Sequence, residues 1–159
     1  MTDPLYRVLF LCTGNSARSQ MAEALLNVSG KGRFHASSAG SQPTGHVQPL
    51  ARKLIDELGY TTPLRSKAWD EFAAPGAPPL DFIITVCDKA AGEACPVWLG
   101  QPVLAHWGVP DPALRPDDLG GFMDAWVTLR RRIELLLALP LPSLDALARE
   151  QRVRAIGLS

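Results

Sequence analysis

A thiol and a guanidinium stand five residues apart in Cys12-Thr13-Gly14-Asn15-Ser16-Ala17-Arg18-Ser19. A loop of this length, curled over a helix N-terminus, points successive backbone N–H groups at one centre and forms a nest for a tetrahedral oxyanion. Gly14 and Asn15 are residue types that tolerate the left-handed backbone such curling needs. Thr13, Ser16, Ala17 and Ser19 complete the candidate binding loop, and Arg18 can close it with a planar fork onto two oxygens. Cys12 would then lie beneath the anion, where the N–H groups and the helix dipole are expected to lower its pKa from ~8.5 until the thiolate dominates at neutral pH. The Ser19 hydroxyl can donate to that thiolate. The Gly-Lys-Ser/Thr ending of an ATP loop is missing, so the chemistry expected is nucleophilic attack on a small oxyanion. The plain alternative is a buried cysteine at a strand end with a polar turn behind it.

Such a loop needs a strand before it and a helix after it. Arg7 to Cys12 is an almost continuous apolar run, as expected of a central parallel strand. Gln20 to Val28 reads as a helix with Met21, Ala24, Leu25 and Val28 on one face. Phe34 to Ser38 is a second strand, closed by Ala39-Gly40, and Val47 to Leu58 a helix stopped by Gly59. A short helix and a loop are expected between Trp69 and Pro79. Leu80 to Cys87 and Pro102 to His106 are the remaining strands. Phe122 to Leu139 is a long helix with Trp126, Leu129, Ile133 and Leu136 facing the core and Arg130 to Arg132 solvated. Ser143 is expected to cap a last short helix. Alternating strands and helices imply an α/β fold with a parallel sheet. Ligands of such folds sit beyond the carboxyl ends of the strands, which places Cys12, Cys87 and the loop after His106 together.

Composition excludes several classes. The 159 residues suit one domain, with 47% apolar residues to build its core. Basic and acidic residues balance at 16 each, so no net basic footprint for nucleic acid or a membrane surface exists. No apolar stretch approaches the ~20 residues of a spanning helix, and no signal peptide opens the chain. A soluble, cytoplasmic protein, acting as a monomer, is the expectation. Three cysteines are an odd number and too few for a secreted disulfide scaffold.

The stretch CTGNSARSQMAE resembles the anion loop shared by low-molecular-weight protein tyrosine phosphatases and the arsenate reductases built on the same fold. Arg18-Ser19-Gln20 is similar to the reductases, since the phosphatases usually carry Arg-Ser-Pro. Ser38-Ala39-Gly40, ITVCDKAAGEACPVW with Cys87 and Cys95, and HWGVPDPA follow in the order of the thioredoxin-coupled reductases. The resemblance spans residues 6 to about 135 and leaves 140–159 outside. It implies a three-layer α/β/α fold with a four-stranded parallel sheet. It also implies roles. Cys12 would attack arsenic, with Asp111 protonating the departing oxygen. Cys87 would then attack the Cys12 sulfur and release arsenite, and Cys95 would attack Cys87. The resulting Cys87–Cys95 disulfide would be reduced by thioredoxin or a glutathione and glutaredoxin system, with no bound redox cofactor. If 88–94 is helical, the two cysteine Cα atoms lie ~12 Å apart, whereas a disulfide needs less than ~7 Å. The segment is therefore expected to unwind on oxidation, with Gly92 its weakest point.

Seven residues separate Cys87 from Cys95, where the family typically has six. Some relatives bind potassium beside the anion loop, and the matching positions here are Asn15, Glu23 and Ser38. Lys67 stands where the family has a further carboxylate, so no metal is expected. Its ammonium would replace the ion and steady Asn15 and Glu23, or else it is an ordinary solvated lysine. His106 reads as structural rather than as a base or zinc ligand, C-x7-C not being a usual zinc spacing. Two rival readings stay open: a tyrosine or small-molecule phosphatase, and a non-catalytic, redox-switched anion sensor.

Overall fold

The computed structural model describes residues 5–87, 98, 101–112, 115 and 117–159. Its strands are β1 (Tyr6–Cys12), β2 (Phe34–Gly40), β3 (Phe82–Thr85) and β4 (Val103–His106), all parallel in the order β2-β1-β3-β4. The helices are α1 (Arg18–Ser29), α2 (Pro49–Leu58), α3 (Asp70–Ala73), α4 (Leu119–Leu137) and α5 (Ala146–Ile156). This is the expected α/β architecture, a four-stranded parallel sheet flanked by helices. Val8 to Leu11 of β1 are completely buried because the strand is central and covered on both faces. Its alternate residues divide the core. Val8, Phe10 and Cys12 join the large cluster with α1, α2, α4 and α5, whereas Leu9 and Leu11 join a smaller one with Ala39, Trp69 and Ile83.

Several boundaries differ from the sequence expectation. In α1, Ser19 to Leu26 are all buried, while Val28 is exposed. The helix is packed by the sheet, α2 and α4, so its buried surface exceeds one stripe until the last turn. α2 begins at Pro49, because the Gln48 side chain caps it by accepting from the N–H groups of Leu50 and Ala51 at 2.6 and 3.4 Å. β3 ends at Thr85, so Cys87 lies in the loop beyond the sheet. Ser143 is not the last helix's cap. It sits in a 3-10 turn, and Asp145 caps α5 by accepting from the Ala148 N–H at 2.8 Å.

Arg132 corrects the reading of a solvated basic run. It is 7% exposed, and its Nη1 donates to the Gly108 carbonyl at 3.0 Å. Residues 140–159 belong to the packed structure rather than trailing from it. The Trp107 indole N–H donates to the Val153 carbonyl at 2.9 Å, and Arg154 Nε to the Leu104 carbonyl at 2.9 Å. A Cβ on Gly157 would lie 2.1 Å from the His106 carbonyl oxygen, so only glycine lets α5 close on β4. This contact covers a sheet edge that would otherwise offer its carbonyls to another chain. No helix among the described residues is long and apolar enough to cross a membrane.

Candidate active site

The loop after β1 is built inside out. The carbonyls of Thr13, Gly14 and Ser16 accept from the N–H groups of Gln42, Thr44 and Gln48 at 3.0, 3.0 and 2.8 Å. Because peptide planes are trans, carbonyls tied outward turn N–H groups toward the loop's centre. Asn15 has φ 48°, the one left-handed non-glycine among the described residues. Gly40, at the end of β2, backs the loop so closely that a Cβ there would lie 2.4 Å from the Thr13 carbonyl oxygen. Ala17 precedes α1 without offering a capping side chain, which leaves the helix's first N–H groups to an anion.

Cys12 sits under this loop, 3% exposed. Its Sγ lies 2.8 Å from Ser19 Oγ and accepts from the Asn15 N–H at 3.2 Å. Asn15 Nδ2 in turn donates to Ser19 Oγ at 2.8 Å. The sequence reading expected a lowered thiol pKa, and the structure gives the opposite direction. Burial pushes the Cys12 thiol up from its ordinary value of 9.0, and the nearby Cys87 adds to this, against the opposing pull of Ser19 and Arg18. Desolvating a thiolate in a site this buried outweighs two hydrogen bonds.

Cys12, Thr13, Gly14, Ser16, Ala17, Arg18, Thr44 and Cys87 line one cleft with Gly108 to Asp111, about 870 Å³ in volume. The parallel sheet thus brings Cys12, Cys87 and the loop after His106 to one end, as the topology implied. Arg18 spans the cleft mouth: Nη1 donates to the Val109 carbonyl at 2.9 Å, and Nη2 lies 3.6 Å from Asp111 Oδ2. Thr13 Oγ1 lies 3.6 Å from Cys87 Sγ, and both Cys12 and Cys87 are buried. Cys95 and the segment 88–94, whose unwinding was expected, lie outside the described residues.

Behind the loop, Glu23 accepts from Ser38 Oγ at 2.8 Å and from the Tyr60 hydroxyl at 2.9 Å. Lys67 Nζ stands 3.8 Å from Glu23 Oε1 and donates to the Arg65 carbonyl at 2.8 Å, while the Lys67 backbone N–H donates to Asn15 Oδ1 at 2.9 Å. Its side chain is 10% exposed, so it is no ordinary solvated lysine, and burial lowers its pKa against the opposing pull of Glu23. Among the described residues no cluster of three or more His, Cys, Asp or Glu could hold a metal ion. His106 Nδ1 lies 2.7 Å from Thr85 Oγ1.

Sequence reasoning missed Gly40, Thr44, Gln20 and Arg132. Arg132 had a signal: it falls at helical spacing from Ala125, Leu129 and Leu136, on the face that packs. Thr44 had none, because its place in the cleft depends on how the chain returns after β2.

A loop nest with a thiol at its floor and an acid at its rim, on a 2-1-3-4 parallel sheet, defines a class. Residues 7–152 match the low molecular weight phosphotyrosine protein phosphatase model, and the chain belongs to that family. Within it, the chain is similar to arsenate reductases. It is 33% identical to the arsenate reductase of Halalkalibacterium halodurans over 124 residues, 78% of this chain and 84% of that one. The crystal structure of the Archaeoglobus fulgidus arsenate reductase superposes with TM-score 0.67 at 30% identity, covering 83% of this chain and 99% of the other. An arsenate reductase in the phosphate binding state gives 0.69 at 29% identity, covering 84% and 97%. A Corynebacterium glutamicum relative named thioredoxin-dependent gives 0.64 at 26%, covering 86% and 62%, and a Synechocystis relative is named glutaredoxin arsenate reductase, 28% identical over 83% of this chain and 96% of its own.

Proposed function

We propose that this protein reduces arsenate to arsenite through a relay of its three cysteines, with an external dithiol as the source of electrons. Arsenate has the size and charge of phosphate, and the inward-facing loop with Arg18 is suited to either anion. Cys12 attacks arsenic as the thiolate, Asp111 protonates the departing oxygen, and water leaves a thiol-arsenate adduct. The Cys87 thiolate then attacks the Cys12 sulfur. The sulfur–arsenic bond breaks with its electron pair on arsenic, which leaves as arsenite, and a Cys12–Cys87 disulfide remains. Attack by Cys95 on the Cys87 sulfur frees Cys12, and the Cys87–Cys95 disulfide passes to thioredoxin or to a glutathione and glutaredoxin couple. A bound anion competes with Asp111 for the Arg18 guanidinium.

One observation carries this reading. Cys87 opens into the cleft whose floor is Cys12, and a phosphatase has no use for a second thiol there. Specificity agrees. No aromatic residue lines the cleft among the described residues, and the sequence of the remaining ones contains none. A tyrosine ring would meet no flat wall, whereas a bare oxyanion needs none.

The test follows arsenite formation with thioredoxin, thioredoxin reductase and NADPH, comparing wild type with Cys12→Ser, Cys87→Ser and Cys95→Ser. Steady turnover, lost in each variant, is expected. Hydrolysis of p-nitrophenyl phosphate that needs Cys12 alone, without arsenite, would make the protein a phosphatase. A single stoichiometric event without turnover would make it a sensor.

A further inference from the structure

We propose that Gln20 is a positioning residue for Cys12, acting through Asn15. Gln20 is completely buried in the first turn of α1. The two protons on its Nε2 serve three acceptors, the Asn15 carbonyl at 3.1 Å, Asn15 Oδ1 at 3.1 Å and the Arg65 carbonyl at 2.9 Å, so one proton is shared. Three acceptors around one amide nitrogen fix its orientation, since a flipped amide would set oxygen against oxygen. Among the described residues, Gln20 Oε1 is buried and has no hydrogen-bond partner. A buried orphan acceptor is disfavoured, so the donor end is where the residue acts.

The consequence follows proton by proton. Asn15 Oδ1 accepts from Gln20 Nε2 and from the Lys67 N–H, which uses both of its lone pairs. Asn15 Nδ2 is thereby turned to Ser19 Oγ as donor. The Ser19 hydroxyl has one proton, and once Cys12 is the thiolate, with Asn15 donating to the hydroxyl oxygen, that proton is the one that bridges the 2.8 Å to Sγ. Gln20 also grips the Asn15 carbonyl, holding the left-handed turn that aims the Asn15 N–H at the same sulfur. Both donors to the sulfur therefore depend on Asn15, and Asn15 depends on Gln20.

The inference rests on Cys12 as the nucleophile but not on arsenate as the substrate, so its test uses neither arsenate nor turnover. Alkylation of Cys12 by iodoacetamide is measured against pH by mass spectrometry, in wild type and in Gln20→Met, which keeps length and loses the donors. The midpoint is expected to move up by about one pH unit, the scale set by a lost hydrogen bond to a charged group. Melting temperatures measured alongside report the fold. The second arm repeats the substitution in an Asn15→Gly background, where glycine takes the left-handed turn unaided and no side chain remains to orient Ser19. There only the grip on the backbone carbonyl remains, and Gln20→Met is expected to move the midpoint clearly less than in the first arm. An unchanged midpoint in the first arm, or an equal shift in both arms, would overturn the proposal. So would failure of both Gln20→Met and Gln20→Leu to fold, which would make Gln20 a core residue and no more. Normal behaviour in both arms with no arsenite formed would sink the arsenate reading and leave this one standing.

Discussion

Gly40→Ala should disable the anion loop from behind without touching a group that contacts substrate. The added methyl would stand 2.4 Å from the Thr13 carbonyl oxygen, 3.0 Å from that of Cys12 and 3.1 Å from the Asn15 nitrogen. All three are backbone atoms, so no side chain can swing away. The strand cannot recoil either: the Gly40 N–H donates to the Lys67 carbonyl at 2.9 Å, and its carbonyl accepts from Trp69 at 3.0 Å. Ordinary contact therefore requires Thr13 to retreat by about 1 Å, and misplacement on that scale costs roughly 10²-fold in rate. Overpacking of this kind costs about 1–3 kcal/mol, or a fall in Tm of roughly 2–12 °C for a domain of this size. The assays are phosphate binding by calorimetry, steady-state arsenite formation, and thermal melting. Tight phosphate binding with wild-type turnover in Gly40→Ala would refute the reasoning, because it would mean that the loop's position is not set by this contact.

Three other outcomes follow from the same geometry. If the Lys67 ammonium stands in for a cation, wild-type turnover is independent of potassium, whereas Lys67→Met leaves Glu23 with Ser38 and Tyr60 but without its cation and loses about 1–3 kcal/mol; potassium titrations and melts with sodium as control read both, and a potassium-dependent wild type would refute it. Arg132→Met removes the donor to the Gly108 carbonyl and should loosen the Gly108 to Asp111 loop, slowing steady-state arsenite formation several-fold; wild-type turnover would dismiss a role through Asp111. Because burial holds the folded Cys12 pKa above 9.0, the folded state keeps its proton longer than the unfolded chain. The stabilisation this gives is complete below pH 9.0 and is lost as pH rises above it. Wild type should thus lose stability relative to Cys12→Ser across that alkaline window, and parallel pH–Tm curves would contradict the shift.

The alternation of apolar runs with amphipathic stretches was enough to order four strands and the helices between them. The spacing of Cys12, Asn15 and Arg18, set between a strand and a helix, was enough to mark an oxyanion loop. These are local properties, fixed by the period of each element and by what a short loop can do with its N–H groups. The cysteines proposed for the relay were legible as residues, and parallel connections implied that Cys87 ends near Cys12. What tertiary structure decided is what depends on neighbours distant in sequence. Arg132 is buried because the loop after β4 offers it the Gly108 carbonyl, and Gly40 is glycine because the loop after β1 presses on it. Lys67 stands by Glu23 where the family resemblance placed it, but that its side chain is buried there follows only from the packing. The Cys12 pKa shows the division most plainly: the motif supplies the donors that favour a thiolate, and the packing around it supplies the desolvation that outweighs them.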